Sequence, residues 1–259
     1  MRTHSLMLLV TASAVAAVPA AAQQWTWNGR VSAGQEFEVK GVNGSVRAVA
    51  GTGSEIEVVA SKTARRSDPD EVKFEVVEHR NGITICAIYP TKAGARRPNE
   101  CQPGSGGHNS IENNDVTVDF EVRVPRGVDF AGRTVNGRVT ATGLTGDVRA
   151  HTVNGDVRVT TAGTAEASTV NGSIDVAMGR ANWDVLEFET VNGSITVELP
   201  SSVDSEVHAS TVNGGIDTDF PLTVRGKWGP KRMTGTIGRG GRELSLSTVN
   251  GSIEIRKGN

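Results

Sequence analysis

The chain has 259 residues, with 27 Lys and Arg against 29 Asp and Glu, a formal charge of −2. This balance carries no electrostatic footprint for nucleic acid and no polybasic cluster of the kind that holds anionic lipid. Aromatic residues make up only 4%, so a core has to be assembled from Val, Ile, Leu, Ala and Thr.

Residues 1–22 read as a secretory signal peptide. Arg2 gives a basic start, 6–17 is an apolar run, and Ala20, Ala21 and Ala22 offer small residues before Gln23. The run is too short to span a bilayer comfortably, and no later segment is apolar enough, so no transmembrane segment is expected in the mature chain, 23–259. No cysteine follows the cut, so a lipid anchor there is not expected either. The mature chain is read as one β-solenoid domain, with an irregular front over 23–130 and regular coils over 131–259. Its location is expected to be periplasmic or extracellular. An exported chain meets oxidising conditions, so the two cysteines, Cys86 and Cys101, are expected to pair. Such a bridge closes a loop of about 15 residues, worth roughly 3 kcal/mol in the chain-entropy model.

In the front, 37–51 (FEVKGVNGSVRAVAG) resembles a first coil, and 54–61 and 115–125 alternate as strands. Residues 72–89 read as two strands around Arg80-Asn81-Gly82, a hairpin. Trp25 and Trp27 are placed to cap one end. The polar stretch 90–115 is a loop tied back by the bridge, with disorder expected beyond it. Its ENND stretch, Glu112 to Asp115, offers oxygen atoms to a hard cation but lacks the spacing of a known calcium loop. No metal site is assigned.

The regular part repeats one phrase, TVNG, beginning at Thr134, Thr152, Thr169, Thr190, Thr211 and Thr248, with a looser copy at 41–46. A period near 20 residues is a solenoid signature. Apolar and polar residues alternate on both sides of each copy, so each repeat is strand, phrase, strand. In VLEFETVNGSITV, 185–197, the inward parity before the phrase does not match the parity after it. The chain must therefore bend within Val-Asn-Gly, through the left-handed region that Asn and Gly tolerate. The Thr and Val of the phrase, with the Val or Ile after it, are expected inside. The corner asparagines Asn43, Asn136, Asn154, Asn171, Asn192, Asn213 and Asn250 are expected to stack as a buried amide ladder, with Asn250 beside an end. Asn-Gly is also a strong hairpin signal, so an array of hairpins is the alternative to a single-stranded parallel β-solenoid, or β-helix. The all-β solenoid is preferred, because a hairpin array gives Asn no reason to recur.

The insertion 219–243 carries Trp228 among Arg225, Lys227, Lys231, Arg232, Arg239 and Arg242. It reads as a cap over the last coil. Trp228, Arg225, Lys227 and Arg232 are the alternative, a ligand contact. Trp183 lies in a loop with exposure expected. His151 and His208 fall on the outward parity and are expected in solvent. No metalloprotease, nucleophile-elbow or nucleotide-binding motif is present. Asp156, Asp175 and Glu187 are outward acids of the kind that could serve a glycosidase, yet no aromatic cleft surrounds them. No catalytic residue and no cofactor is assigned.

The strand ending VRVPRGVDF, the coils TVNGRVTATGLTGDVRAHTVNGDVRV and the closing GTIGRGGRELSLSTVNGSIEIR resemble a bacterial putative-adhesin family of unknown function. The resemblance covers about 35–256. It implies a β-solenoid akin to autotransporter adhesin heads, and it brings no catalytic residues. The end at EIRKGN lacks the membrane barrel of an autotransporter, so self-display at the cell surface is not expected. The resulting expectation is an exported, non-enzymatic, adhesin-like protein whose partner is an envelope glycan or an exported protein. A polysaccharide-active β-helix enzyme and an envelope-stress or signalling partner are the alternatives.

Overall fold

The structure is a computed structural model. It describes residues 23–222, 224–225 and 230–258; the expected signal peptide, 1–22, lies outside the described residues. Apart from one 3-10 turn, Pro69–Glu71, the described regular structure is β. Ten strands form one sheet and eleven the other, and each coil gives one strand to each.

Alternation explains the layering. In Ile195–Leu199, Ile195, Val197 and Leu199 are buried while Glu198 is exposed. Register then stacks like on like. Val46, Val139, Val157, Ile174, Ile195, Ile253 and Ile216 form one continuous column. On the facing sheet, Phe37 meets Phe130 and Phe130 meets Val148. The core lies between these columns, and each fully buried aliphatic side chain contributes about 1.5–3 kcal/mol.

The coils pair in parallel, but the sheets are mixed, so an exclusively parallel solenoid needs correction. At one end, Gln23–Gly29 pairs antiparallel with Ile56–Thr63, which pairs antiparallel with Thr117–Val124. The hairpin Lys73–His79 and Gly82–Ile88 flanks the other sheet, turning at Arg80-Asn81 as its sequence suggests. At the far end, Lys231–Ile237 pairs antiparallel with Ser205–Asn213. The reason is the strand edge: the last coil of a stack bares unpaired backbone groups, and hairpin strands cover them. The insertion therefore does serve as a cap, burying Phe220 and Met233.

The stack does not follow chain order. The asparagine bridges run 43, 136, 154, 171, 192 and 250, and Asn213 pairs beyond Asn250. The last coil in sequence is thus threaded between the two before it, and Asn213 holds the outer end.

Trp25 stacks on Phe74, with ring centroids 4.4 Å apart, and Trp27 lies parallel to Phe37, consistent with a cap. Trp183 corrects the expected exposure. It is 7% exposed, and its Nε1 donates to Glu243 O at 3.1 Å. Its loop folds back over the core, because an indole buries a large apolar area once its single N–H finds an acceptor.

Ile195→Ala should cost about 2–5 kcal/mol, the range for a buried aliphatic truncation. Val185→Ala, at a site 60% exposed, should change stability by less than about 0.5 kcal/mol. Urea unfolding of both variants checks this. Equal losses would contradict the assigned layering.

Candidate functional site

The repeated corner is the most regular feature of the surface, and each of its residues has a separate task. The threonine is buried. Thr190 Oγ1 donates to Gly172 O of the neighbouring coil at 2.9 Å. Thr134, Thr152, Thr169, Thr248 and Thr211 make the same bond to Gly44, Gly137, Gly155, Gly193 and Gly251.

The glycine is required by close approach, which corrects the left-handed expectation. Among the six TVNG copies neither Asn nor Gly has a positive φ; only Gly44 in the looser copy does. A Cβ on Gly137, Gly155, Gly172, Gly193, Gly251 or Gly214 would lie 1.8–2.1 Å from the glycine carbonyl oxygen of the next coil. No side chain fits there.

The asparagines do form a ladder. Asn136 Nδ2 donates to Asn43 Oδ1, and the pattern continues through Asn154, Asn171, Asn192, Asn250 and Asn213 at 2.7–2.8 Å. The ladder is exposed rather than buried. The valine is also outside: Val153, Val170, Val191, Val212 and Val249 are 37–41% exposed. Threonine and the following Val or Ile fill the interior, and of the four residues between them Val and Asn project outward. The bend still absorbs the parity change, because Thr190 and Ile195 are both buried five positions apart.

A second constellation joins the front to the coils. The Cys86–Cys101 disulfide is formed, and the loop beyond it is docked, contrary to the expected disorder. Lys40 Nζ donates to Gln102 O, Gly104 O and Gly106 O at 2.9, 2.8 and 2.7 Å. Buried Glu38 accepts from Arg133 Nε at 2.8 Å, Thr84 Oγ1 at 2.9 Å and Gly104 N at 2.8 Å. Three loop carbonyls and one loop amide thus find charged partners, which strengthens each bond. Burial lowers the Lys40 pKa.

His151 follows Arg133 in register. Its Nδ1 lies 2.7 Å from Ser168 Oγ, and its Nε2 is buried with no hydrogen-bond partner among the described residues. This corrects the expected solvent position, which His208 does occupy. Burial, then the nearby charges of Arg133 and Arg149, hold the imidazole down to about 4, with Glu38 opposing. Parity pointed it outward, but it sits between Arg133 and Ser168 of the adjacent strands.

Of the insertion's candidates, Trp228 and Lys227 lie outside the described residues. Arg225 pairs through its backbone with Arg232, which is exposed. The outward acids are partly neutralised: Asp156 accepts from Arg138 Nη2 at 3.1 Å, and Asp175 lies 3.4 Å from Arg158 Nε. Asp115, in the ENND stretch, accepts backbone N–H groups of Arg66 and Ser67, which hold its carboxyl down to about 2. Among the described residues no group of three or more His, Cys, Asp or Glu could hold a metal.

Two outcomes test this geometry. Gly193→Ala should cost more than about 3 kcal/mol, since backbone must move. Thr190→Val, which orphans a glycine carbonyl, should cost about 1–3 kcal/mol, and Asn192→Ala about 1–2 kcal/mol. A mild Gly193→Ala would contradict the close stacking. The second outcome concerns pH. Folded His151 binds its proton near pH 4, below the ordinary value of 6.5. The unfolded chain therefore binds more protons between these values, and this contribution is lost as pH falls from about 6.5 towards 4. Wild type should lose up to about 2 kcal/mol more than His151→Gln over that window, read by urea unfolding at each pH. Parallel pH profiles would contradict the buried neutral imidazole.

Comparison with known proteins gives a family-model match over the coils. No curated protein matches the chain. Among solved structures, a "putative cell adhesion protein" from Clostridium sporogenes ATCC 15579 is 12% identical. That match covers 91% of this chain and 100% of that one, at a TM-score of 0.46. A "putative adhesin" from Bacteroides fragilis NCTC 9343 is 13% identical, covering 91% and 97%, at 0.30. Another from Parabacteroides distasonis ATCC 8503 is 9% identical, covering 92% and 98%, at 0.26. These likenesses are too loose to carry over residues or activities. The match that spans the repeated corners is to the family model described as Toastrack DUF4097, over residues 134–256. This similarity spans all six TVNG corners, in keeping with the resemblance to a putative-adhesin family.

Proposed function

We propose that this chain is an exported, non-catalytic, adhesin-like protein whose solenoid-like stack of coils binds an extended envelope glycan. The observation that carries the reading is the stack of seven corners in register. It repeats the same chemical groups at the strand spacing of about 4.8 Å, and an extended polymer is the partner that can use every rung. Export is supported by the Cys86–Cys101 bridge, a bond that persists in oxidising compartments, and by the signal-like residues 1–22. No helix among the described residues is long and apolar enough to cross a membrane. The absence of catalysis is supported by what the polar groups do: Glu38 is saturated by structural partners, and Asp156 and Asp175 face arginines.

The test is to incubate the purified chain with a panel of envelope and extracellular polysaccharides. Protein retained on the polymer and newly released reducing ends are measured together. Retention without new ends is expected. New reducing ends would make the protein an enzyme, and retention on none of the polymers would remove glycan as the partner class.

A further inference from the structure

The outward valine of the corner is constant where the fold does not need it to be. All seven copies carry Val: Val42, buried at the front, and Val135, Val153, Val170, Val191, Val212 and Val249, which reach the surface. The residue after the glycine, also at the surface, varies among Ser45, Arg138, Asp156, Ser173, Gly215 and others. Threonine has the same β-branched fit to a strand, so chain geometry alone does not demand valine. Five of the seven large hydrophobics exposed among the described residues belong to this one row. Stacked in register, the six valines of the TVNG copies form a ridge one residue wide and roughly 24 Å long at strand spacing.

A groove runs beside the ridge. Its floor is the column of buried threonines, and its far wall is the last outward residue of each strand on the eleven-stranded sheet. Register places these as Arg133, His151, Ser168, Glu189 and Ser247. A cavity of about 330 Å³ lies in its middle, where Val170, Val191 and Val249 face Ser168, Glu189 and Ser247. A second, of about 370 Å³, lies at one end, where Arg133 and Val135 meet Gly104 and His108 of the disulfide-tied loop.

We infer that this groove is the binding site for an uncharged, linear polysaccharide, lying along the stack with its C–H faces on the valine ridge and its hydroxyls on the opposite wall. The inference rests on the glycan reading above and names its site and ligand charge. Shape argues against a globular partner. The ridge exposes roughly 300 Å² of apolar surface, a size that is often functional, but a standard protein interface needs about 800 Å² per partner. Charge argues against a polyanion. Val, Thr and Ser line most of the central cavity, Glu189 has no ion pair among the described residues, and Arg133 is bound to Glu38. Aliphatic rather than aromatic side chains offer no stacking platform for bases. Beside the ridge, each interior ladder amide donates one N–H and accepts one bond, which leaves a second N–H and a lone pair per rung for sugar hydroxyls.

The test compares the wild-type chain with a fourfold variant, Val153→Thr, Val170→Thr, Val191→Thr and Val249→Thr, on insoluble cellulose, on chitin and on the polyanion alginate. Wild type should be retained on at least one uncharged polymer, and the variant at least tenfold less, with an unchanged melting temperature. Should the fourfold variant not fold, the double variant Val170→Thr and Val191→Thr decides, with at least a threefold loss expected. Equal retention of variant and wild type overturns the groove assignment and leaves the glycan reading standing. Wild type retained on none of the three, nor on any other uncharged polymer of the wider panel, overturns the inference, and preference for alginate overturns the uncharged class. Sedimentation velocity covers the remaining occupant: a wild-type dimer that the variant lacks would assign the ridge to a second copy and overturn the inference.

Discussion

Everything regular in this protein depends on one contact, the buried threonine hydroxyl of one coil meeting the glycine carbonyl of the next. The bond, 2.9 Å from Thr190 to Gly172, forms where the two backbones approach until no Cβ can stand between them. That approach sets the register. Once Thr and Gly are locked, the asparagine amides fall within hydrogen-bond distance, and the Val and Ile columns stack in line inside. A slip of one residue would turn every core side chain to solvent, so a corner that tolerates no slip specifies the sheets on both sides of it.

The rest of the chain manages the consequences of stacking. Parallel coils leave a bare edge at each end, and each end is closed differently. The front uses antiparallel strands and two tryptophans. The back uses an inserted antiparallel strand and reverses the order of its last two coils. The disulfide loop is fastened to the coils by charge: Lys40 gathers three carbonyls, and Glu38 gathers an amide, a hydroxyl and a guanidinium. A buried carboxylate such as Glu38 is costly to desolvate, and it holds because Arg133, Thr84 and Gly104 all donate to it.

The sequence made much of this legible. Period-two alternation beside a repeated phrase pointed to stacked strands, the two cysteines to a bridge, and Arg80-Asn81-Gly82 to a hairpin. What stayed hidden was non-local. Glycine in a turn reads as a left-handed residue, and only the adjacent coil reveals that its missing Cβ is what matters. Valine reads as core by default, so the ridge was assigned to the interior. Parity placed His151 outward, but parity along one strand cannot report that Arg133 and Ser168 flank it on the neighbouring strands. The place of the last coil, between two earlier ones, has no local signature. A constant valine beside a variable neighbour was the one signal by which the candidate groove could have been found from the sequence.

The most direct test of the corner account is amide hydrogen exchange, residue by residue, on the folded chain. The N–H groups of Gly155, Gly172 and Gly193 each donate to the asparagine carbonyl of the adjacent coil. Strong protection is predicted at these three, falling towards Gly214 at the outer end of the stack. Rapid exchange at the central corners, with protection confined to the strands between them, would contradict the claim that the corners hold the coils together.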